Sequence, residues 1–305
     1  MSFKIENTPD LKGSIALVTG GNIGLGFETA KALALKGASV VLAARNEEKG
    51  RQAVSRIRQE ISNAQIQFLQ LDLASQSNIK LSAESFSQEF SKLDILVNNA
   101  GIMAMPERRT EDGFESQFGV NHLGHWSLTG LLIPKILLST SPRIVTVTSS
   151  AHHLIRKIDF ENPHMDGKYS AWNAYSQSKL ANYFFSLGLA ELFENKSLNA
   201  KSLLAHPGLA HTNLQIETYD QGASGFVGWL SKVLAANVGQ TPQDGALPQI
   251  RAALDPKAKN GEFYAPRYFV SGAPVKRPFL RLGNSKNIEK LWALSERETG
   301  ISIDI

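Results

Sequence analysis

The sequence predicts an α/β fold, a doubly wound and mostly parallel sheet with helices on both faces. Three observations carry that prediction. Apolar, strand-like runs alternate with helical-period stretches through the first half of the chain, and a glycine-rich loop separates the first run from the first helix. Cysteine is absent from all 305 residues, which excludes disulfides, thiolate nucleophiles and cysteine-ligated zinc, so packing must hold the fold together. A chain of this length buries a core large enough to do so. The alternation itself is the βαβ rhythm of parallel strands joined by crossover helices.

The first strand is "IALV", after an N-terminal stretch, "MSFKIENTPDLKG", that lacks the apolar run of a signal peptide. "FETAKALALKG" has helical spacing, "SVVLAA" is the second strand, and "EEKGRQAVSRIRQEI" is the second helix. "IQFLQL" and "DILV" follow as third and fourth strands, and "RIVTVTSS" (Arg143 to Ser150) as the fifth. A long helix covers "AWNAYSQSKLANYFFSLGLAEL". The sixth strand, "AKSLLAH", is stopped by Pro207 and Gly208, and "GEFYA" (Gly261 to Ala265) makes about seven. With no repeat, low-complexity segment or linker, residues 1–305 read as one domain.

Between positions 215 and 241 the composition shifts to Gly, Ser, Ala and bulky apolar residues. Phe226, Val227, Leu230, Val233 and Leu234 fall at helical spacing, with Trp229 beside them. Two readings stay open, an amphipathic helix packed on the core and a glycine-flanked lid over a cleft.

The formal charge of +4 is spread along the chain, without a Lys/Arg block interleaved with aromatics, so nucleic acid is not an expected partner. "LTGLLIPKILL" is interrupted by Pro134 and Lys135 and is too short to span a bilayer, so a cytoplasmic location is expected. His122 and His125, and the adjacent His152 and His153, lack the carboxylate that completes a motif such as H-E-x-x-H. No metal is expected. Local hydrogen bonding is the default for these imidazoles, with His152 and His153 placed to touch substrate just beyond the fifth strand.

The loop "TGGNIGLG", Thr19 to Gly26, holds four glycines in eight residues. A loop leaving a strand and opening a helix turns backbone N–H groups and the positive helix end toward a bound anion. Phe27 and Glu28 follow Gly26 where a Walker loop needs Lys-Ser/Thr, which argues against phosphoryl transfer. The glycines at 20, 24 and 26 also depart from the G-x-G-x-x-G spacing.

The pattern T-G-x-x-x-G-x-G resembles the cofactor loop of the short-chain dehydrogenase/reductase family. Further motifs follow in that family's order: "LDL" around Asp72, "NNAG" at 98–101, "VNHLG" with Asn121, "VTSS", "YSQSK" with Tyr175 and Lys179, and "HPGLAHT". Within the family, "ARN", "RIVTVTSSAHH", "AYSQSKLAN" and "KNIEKLWALSERETGI" resemble the retinol-dehydrogenase-like branch, which also contains WW-domain oxidoreductases and protochlorophyllide reductases. The resemblance implies a Rossmann fold that binds a nicotinamide dinucleotide. By the same resemblance, Gly20, Asn22, Ile23, Gly24 and Gly26 lie along its pyrophosphate, Asp72 and Leu73 at adenine, and Asn99, Ala100 and Gly101 at ribose. Pro207, Gly208 and Thr212 meet the carboxamide end.

Arg45 occupies the position after the second strand where NAD-specific folds carry an acid. A guanidinium there pairs with a 2′-phosphate, so NADP(H) is the expected cofactor, with Glu47 and Glu48 close by. Tyr175 and Lys179 are four apart on a helix and share one face. A tyrosine hydroxyl near pKa ~10 is a poor base until a neighbouring ammonium, with the positively charged oxidised nicotinamide, lowers that value. Tyr175 is the expected general acid or base, with Lys179 as its cationic neighbour. The family resemblance further implies that Lys179 is a ribose ligand, that Ser149 (with Ser150 as fallback) hydrogen-bonds the substrate oxygen, and that Asn121 organises a water beside the lysine. Tyr169 is disfavoured because Asn173 stands where Lys is needed.

The expected activity is hydride exchange with a carbonyl or alcohol on a fairly apolar small molecule. Alternatives are C=C reduction of the protochlorophyllide-reductase type, disfavoured by the missing cysteine, and a catalytically silent NADP(H) sensor. Oligomeric state stays open: the family commonly pairs through the helices around Asn121 and Tyr175, which admits a homodimer, but members with extended active-site insertions can be monomers.

Overall fold

The computed structural model describes residues 3–209, 240–279 and 284–305. Thr212 and nearly all of the 215–241 segment lie outside the described residues.

The expected alternation appears as β1 (Ile15–Thr19), α1 (Gly24–Leu35), β2 (Ser39–Ala44), α2 (Glu47–Glu60), β3 (Ile66–Gln70), α3 (Gln76–Glu89) and β4 (Ile95–Asn98). Next come α4 (Ser116–Phe118), a π-helical turn (Gly119–Leu123), α5 (Gly124–Ile136) and β5 (Arg143–Val147). The chain continues through α6 (Ala171–Asn195), β6 (Lys201–Ala205), α7 (Pro242–Leu254), β7 (Phe263–Pro266), β8 (Pro274–Arg277) and α8 (Ser285–Thr299).

The strands form one sheet in the order β3-β2-β1-β4-β5-β6-β7-β8. All neighbours are parallel except β7 and β8. The eighth strand goes beyond the seven read from sequence. "PVKR" is short, starts with proline and carries two cations, which is the chemistry of an edge strand rather than of a buried one.

Alternate residues of β1 and β2 enter opposite layers. Ala16, Val18, Val40 and Leu42 pack with Phe27 and Leu33 of α1, Ile57 of α2 and Ile250 of α7. Leu17 and Val41 pack with Phe86 of α3, Trp126 and Leu132 of α5, and Phe185 of α6. Both faces are buried, which is why these strands read as unbroken apolar runs. Because β1 lies between β2 and β4, the winding reverses there and opens a crevice at the strands' carboxyl ends.

Outside α5 and α6 lies the chain's last stretch. Trp126 Nε1 donates to the Ile301 carbonyl at 2.8 Å, and the Trp126 and Trp292 rings meet edge to face at 5.1 Å.

Candidate active site

The crevice is a cavity of about 730 Å³. The glycine loop forms one wall. Gly20 has φ +65°, a left-handed conformation that a side chain disfavours, and a Cβ on Gly26 would overlap the Gly20 carbonyl oxygen. Asn22 and Ile23 line the cavity beside Gly20, Gly24 and Gly26. The N-cap Ile23 offers no side-chain hydrogen bond, so the first N–H groups of α1 are left for a ligand or solvent.

At the end of β2, Arg45 and Lys49 are exposed and line the same cavity. Glu47 and Glu48 are engaged along α2, with Arg51 (2.8 Å) and Gln52 (3.2 Å) respectively. Asp72 and Leu73 line the cavity beyond β3, and Asp72 Oδ1 accepts from the Ala74 amide at 2.9 Å. Asn99, Ala100 and Gly101 follow β4, and Pro207 and Gly208 follow β6, all on the cavity wall.

Ser149, Ser150, Tyr175 and Lys179 complete the lining. Tyr175 is only 6% exposed and Lys179 4%, and Ser149 hydrogen-bonds the Tyr175 side chain. Lys179 Nζ donates to the Val147 carbonyl at 3.3 Å and lies 5.8 Å from the Tyr175 ring centroid. Burial pushes the Tyr175 phenol up, opposed by the Ser149 hydrogen bond. Burial also pulls Lys179 down to about 8. Desolvation thus acts against the charged form of both groups. Tyr169 is committed elsewhere: its hydroxyl donates to the Met105 carbonyl at 2.6 Å and accepts from Gln117 at 3.0 Å.

Asn121 lies on the π-helical turn before α5. It is fully buried and is not part of the cavity wall. Its carboxamide accepts from Ile102 N (2.8 Å) and donates to Ile102 O and Ser178 Oγ (both 2.9 Å). The side chain is spent on the chain itself, behind Gly101: a Cβ there would meet Asn121 Oδ1 at 3.1 Å and Lys179 Nζ at 3.4 Å.

Several supporting groups were not read from sequence. Thr19 Oγ1 accepts from the amides of Asn99 and Ala100, each at 3.0 Å. His125 Nε2 lies 2.9 Å from the same hydroxyl, and its Nδ1 lies 3.0 Å from the Asn121 carbonyl. Gln249 of α7 donates to Asn99 Oδ1 at 3.0 Å and to Thr29 at 2.7 Å. These partners lie 80 residues or more apart in the chain, apart from the His125–Asn121 pair, so no local pattern marks them. His122 Nε2 pairs with Ser295 Oγ of α8 at 2.8 Å. His152 and His153 are not on the cavity wall; the His152 ring stacks on Tyr183 at 5.0 Å. Among the described residues no cluster of three or more metal-binding side chains occurs, and no helix is long and apolar enough to cross a membrane.

Residues 14–222 match the family described as short chain dehydrogenase. Human polyprenol dehydrogenase is 35% identical over 299 residues, spanning 96% of this chain and 87% of its own. Human retinol dehydrogenase 12 is 37% identical over 293 residues, spanning 95% and 88%. An uncharacterized protein from Mycobacterium paratuberculosis, known from a crystal structure, superposes over 100% of both chains with a TM-score of 0.82 and 34% identity. A short chain dehydrogenase from Shigella flexneri, crystallised with NADP, shares the fold at a TM-score of 0.65 and 24% identity, over 85% of this chain and 99% of that one. Motif order, sheet topology and likeness along the whole length agree, and the chain belongs to the short-chain dehydrogenase/reductase family of oxidoreductases, with retinol and polyprenol dehydrogenases among its relatives.

Proposed function

We propose that the protein is an NADP(H)-dependent oxidoreductase that interconverts a carbonyl and an alcohol on a fairly apolar substrate. One observation carries the reading: Ser149, Tyr175 and Lys179 share a cavity with a glycine loop and with Arg45 and Lys49. The strand order sets β2, which ends at the two cations, apart from β5, which ends at Ser149, so an elongated ligand can bridge them.

The residues suit a phosphorylated dinucleotide. The loop is too tight for a side chain at Gly26, the α1 N-terminus is uncapped, and two cations face the end of β2. When bound, the nicotinamide supplies hydride to, or takes it from, the substrate carbon. The chain's own residues manage the proton and the oxygen. Ser149 and the Tyr175 hydroxyl both donate to the carbonyl oxygen, and Tyr175 delivers its proton to that oxygen as the alcohol forms. Lys179, fixed on Val147, holds positive charge where phenolate develops. Asn121, through Ile102 and Ser178, braces the wall behind Gly101.

Ile102, Met103, Met105 and Leu209 supply apolar lining, in keeping with an apolar substrate. Retinol and polyprenol, the alcohols in the relatives' names, are of that kind.

The test is oxidation of NADPH and NADH, followed by absorbance, with a panel of lipophilic aldehydes and ketones. Wild type should prefer NADPH, and Arg45→Ala should erase that preference. Tyr175→Phe should lose about 10²- to 10⁴-fold in turnover while still binding cofactor. Equal use of both cofactors by wild type would remove the NADP(H) assignment; full turnover by Tyr175→Phe would remove the proton donor.

A further inference from the structure

We infer that His125 is a positioning residue for the dinucleotide, acting through the Thr19 hydroxyl on the Asn99–Ala100 turn. The inference rests on the functional reading above, since it concerns the turn assigned to the cofactor's ribose side.

Hydrogen-bond accounting fixes the arrangement. The Asn121 carbonyl can only accept, so His125 Nδ1, 3.0 Å away, carries the ring proton and donates it. The neutral ring's Nε2 is then an acceptor, and Thr19, 2.9 Å away, donates its single hydroxyl proton to it. With that proton committed, the Thr19 oxygen presents two lone pairs, and the amides of Asn99 and Ala100 take both at 3.0 Å. The alternative recipient of the Thr19 proton, the Val97 carbonyl, is farther away at 3.3 Å. The Asn99 amide is shared with the Val97 carbonyl, also at 3.0 Å, whereas the Thr19 proton has its shortest partner in the ring, which is buried at 1% exposure. Burial pulls His125 down to about 4, which agrees with a neutral ring.

The local backbone makes this possible. His125 lies just after the π-helical turn Gly119–Leu123, and the wider turn carries Asn121 in its middle. The Asn121 carbonyl thus meets an imidazole four residues on, while its carboxamide bonds Ile102 on the far side of the same loop. His125 therefore joins three pieces that share no sequence proximity: the end of β1 where the glycine loop starts, the turn after β4, and the π turn. Residues 99–101 line the cavity. Loosening their backbone moves a stretch of cavity wall that carries neither Tyr175 nor Lys179.

Two replacements separate the roles of the ring nitrogens. His125→Gln can place an amide oxygen near the Nε2 position and accept from Thr19. His125→Asn reaches only the Asn121 carbonyl. Calorimetric titration with NADPH should give wild-type-like affinity for His125→Gln and Thr19→Ser. His125→Asn and Thr19→Val should each bind about 10-fold more weakly, the effect of one lost buried hydrogen bond. Steady-state kinetics should show the loss in KM for the dinucleotide, with kcat and its pH profile unchanged.

Amide hydrogen exchange at Asn99 and Ala100, measured without any dinucleotide, reads the turn directly and should be about 10-fold faster in His125→Asn than in His125→Gln. Equal affinity and equal exchange in these two variants would overturn the inference. Wild-type protein that binds neither NADPH nor NADH would sink the functional reading instead, while the exchange comparison would still decide the role of His125.

Discussion

Lys179 shows, at the scale of one residue, what burying an ammonium costs. Its amine is unprotonated to a growing degree above about 8 in the folded protein, against 10.5 for an unperturbed lysine. The unfolded chain thus binds the proton more tightly, and stability rises with pH between those two values as the folded amine sheds its charge. Below about 8 the full penalty stands, on the order of 3 kcal/mol at about 1.4 kcal/mol per pKa unit. Lys179→Met, which leaves Asn182 still donating to the Val147 carbonyl, should melt several degrees higher than wild type at neutral pH and lose turnover. The difference in melting temperature should shrink as the buffer approaches pH 10; a constant difference would contradict the assignment. Gly26→Ala makes the opposite case. Its Cβ overlaps the Gly20 carbonyl, which is backbone and cannot step aside, so binding of NADPH should be lost and stability should fall by about 1–3 kcal/mol in denaturant titration.

At the scale of the element, α8 does more than close the chain. Ser295 holds His122, and Glu298 holds His164 of the segment before Tyr175 at 3.1 Å. Gly188 of α6 lies under the Trp292 ring, with no room for a Cβ. Gly188→Val should lift Trp292, red-shift tryptophan emission and make α8 the first site of limited proteolysis. Unchanged emission would mean that the ring finds another seat. The helices and strands themselves were legible because each is a local pattern: "SVVLAA" is apolar on both faces, and "EEKGRQAVSRIRQEI" keeps one apolar stripe over Val54 and Ile57. The π turn was not, since "GVNHL" differs from its helical flanks only in backbone hydrogen bonding, which no side-chain periodicity records. β8 escaped for a related reason, its pairing being set by the turn after β7 rather than by its own four residues.

For the whole molecule, the sequence named residues of which many, Gly20, Arg45, Asp72, Asn99, Ser149 and Tyr175 among them, line one crevice, because the strand order brings the β-strand ends that carry motifs to the same side of the sheet. It did not show what supports them. Thr19 and Gln249 bond the Asn99–Ala100 turn and His125 bonds Thr19, through contacts that only the closed sheet creates. Nor did it show that the outer side of α5 is already covered. A Cβ at Gly130 would touch Ile301 at 2.8 Å and the Ser302 carbonyl at 3.2 Å. A second copy docking there through α5 would have to displace residues 301–303. Light scattering on the full chain should accordingly give the mass of one copy, and a stable dimer protecting Trp126 would refute this. The perpendicular indoles of Trp126 and Trp292 also form a built-in optical gauge. Two such chromophores at this separation couple their transitions, so near-ultraviolet circular dichroism can follow detachment of the terminal helix in real time, without a label and without a substrate.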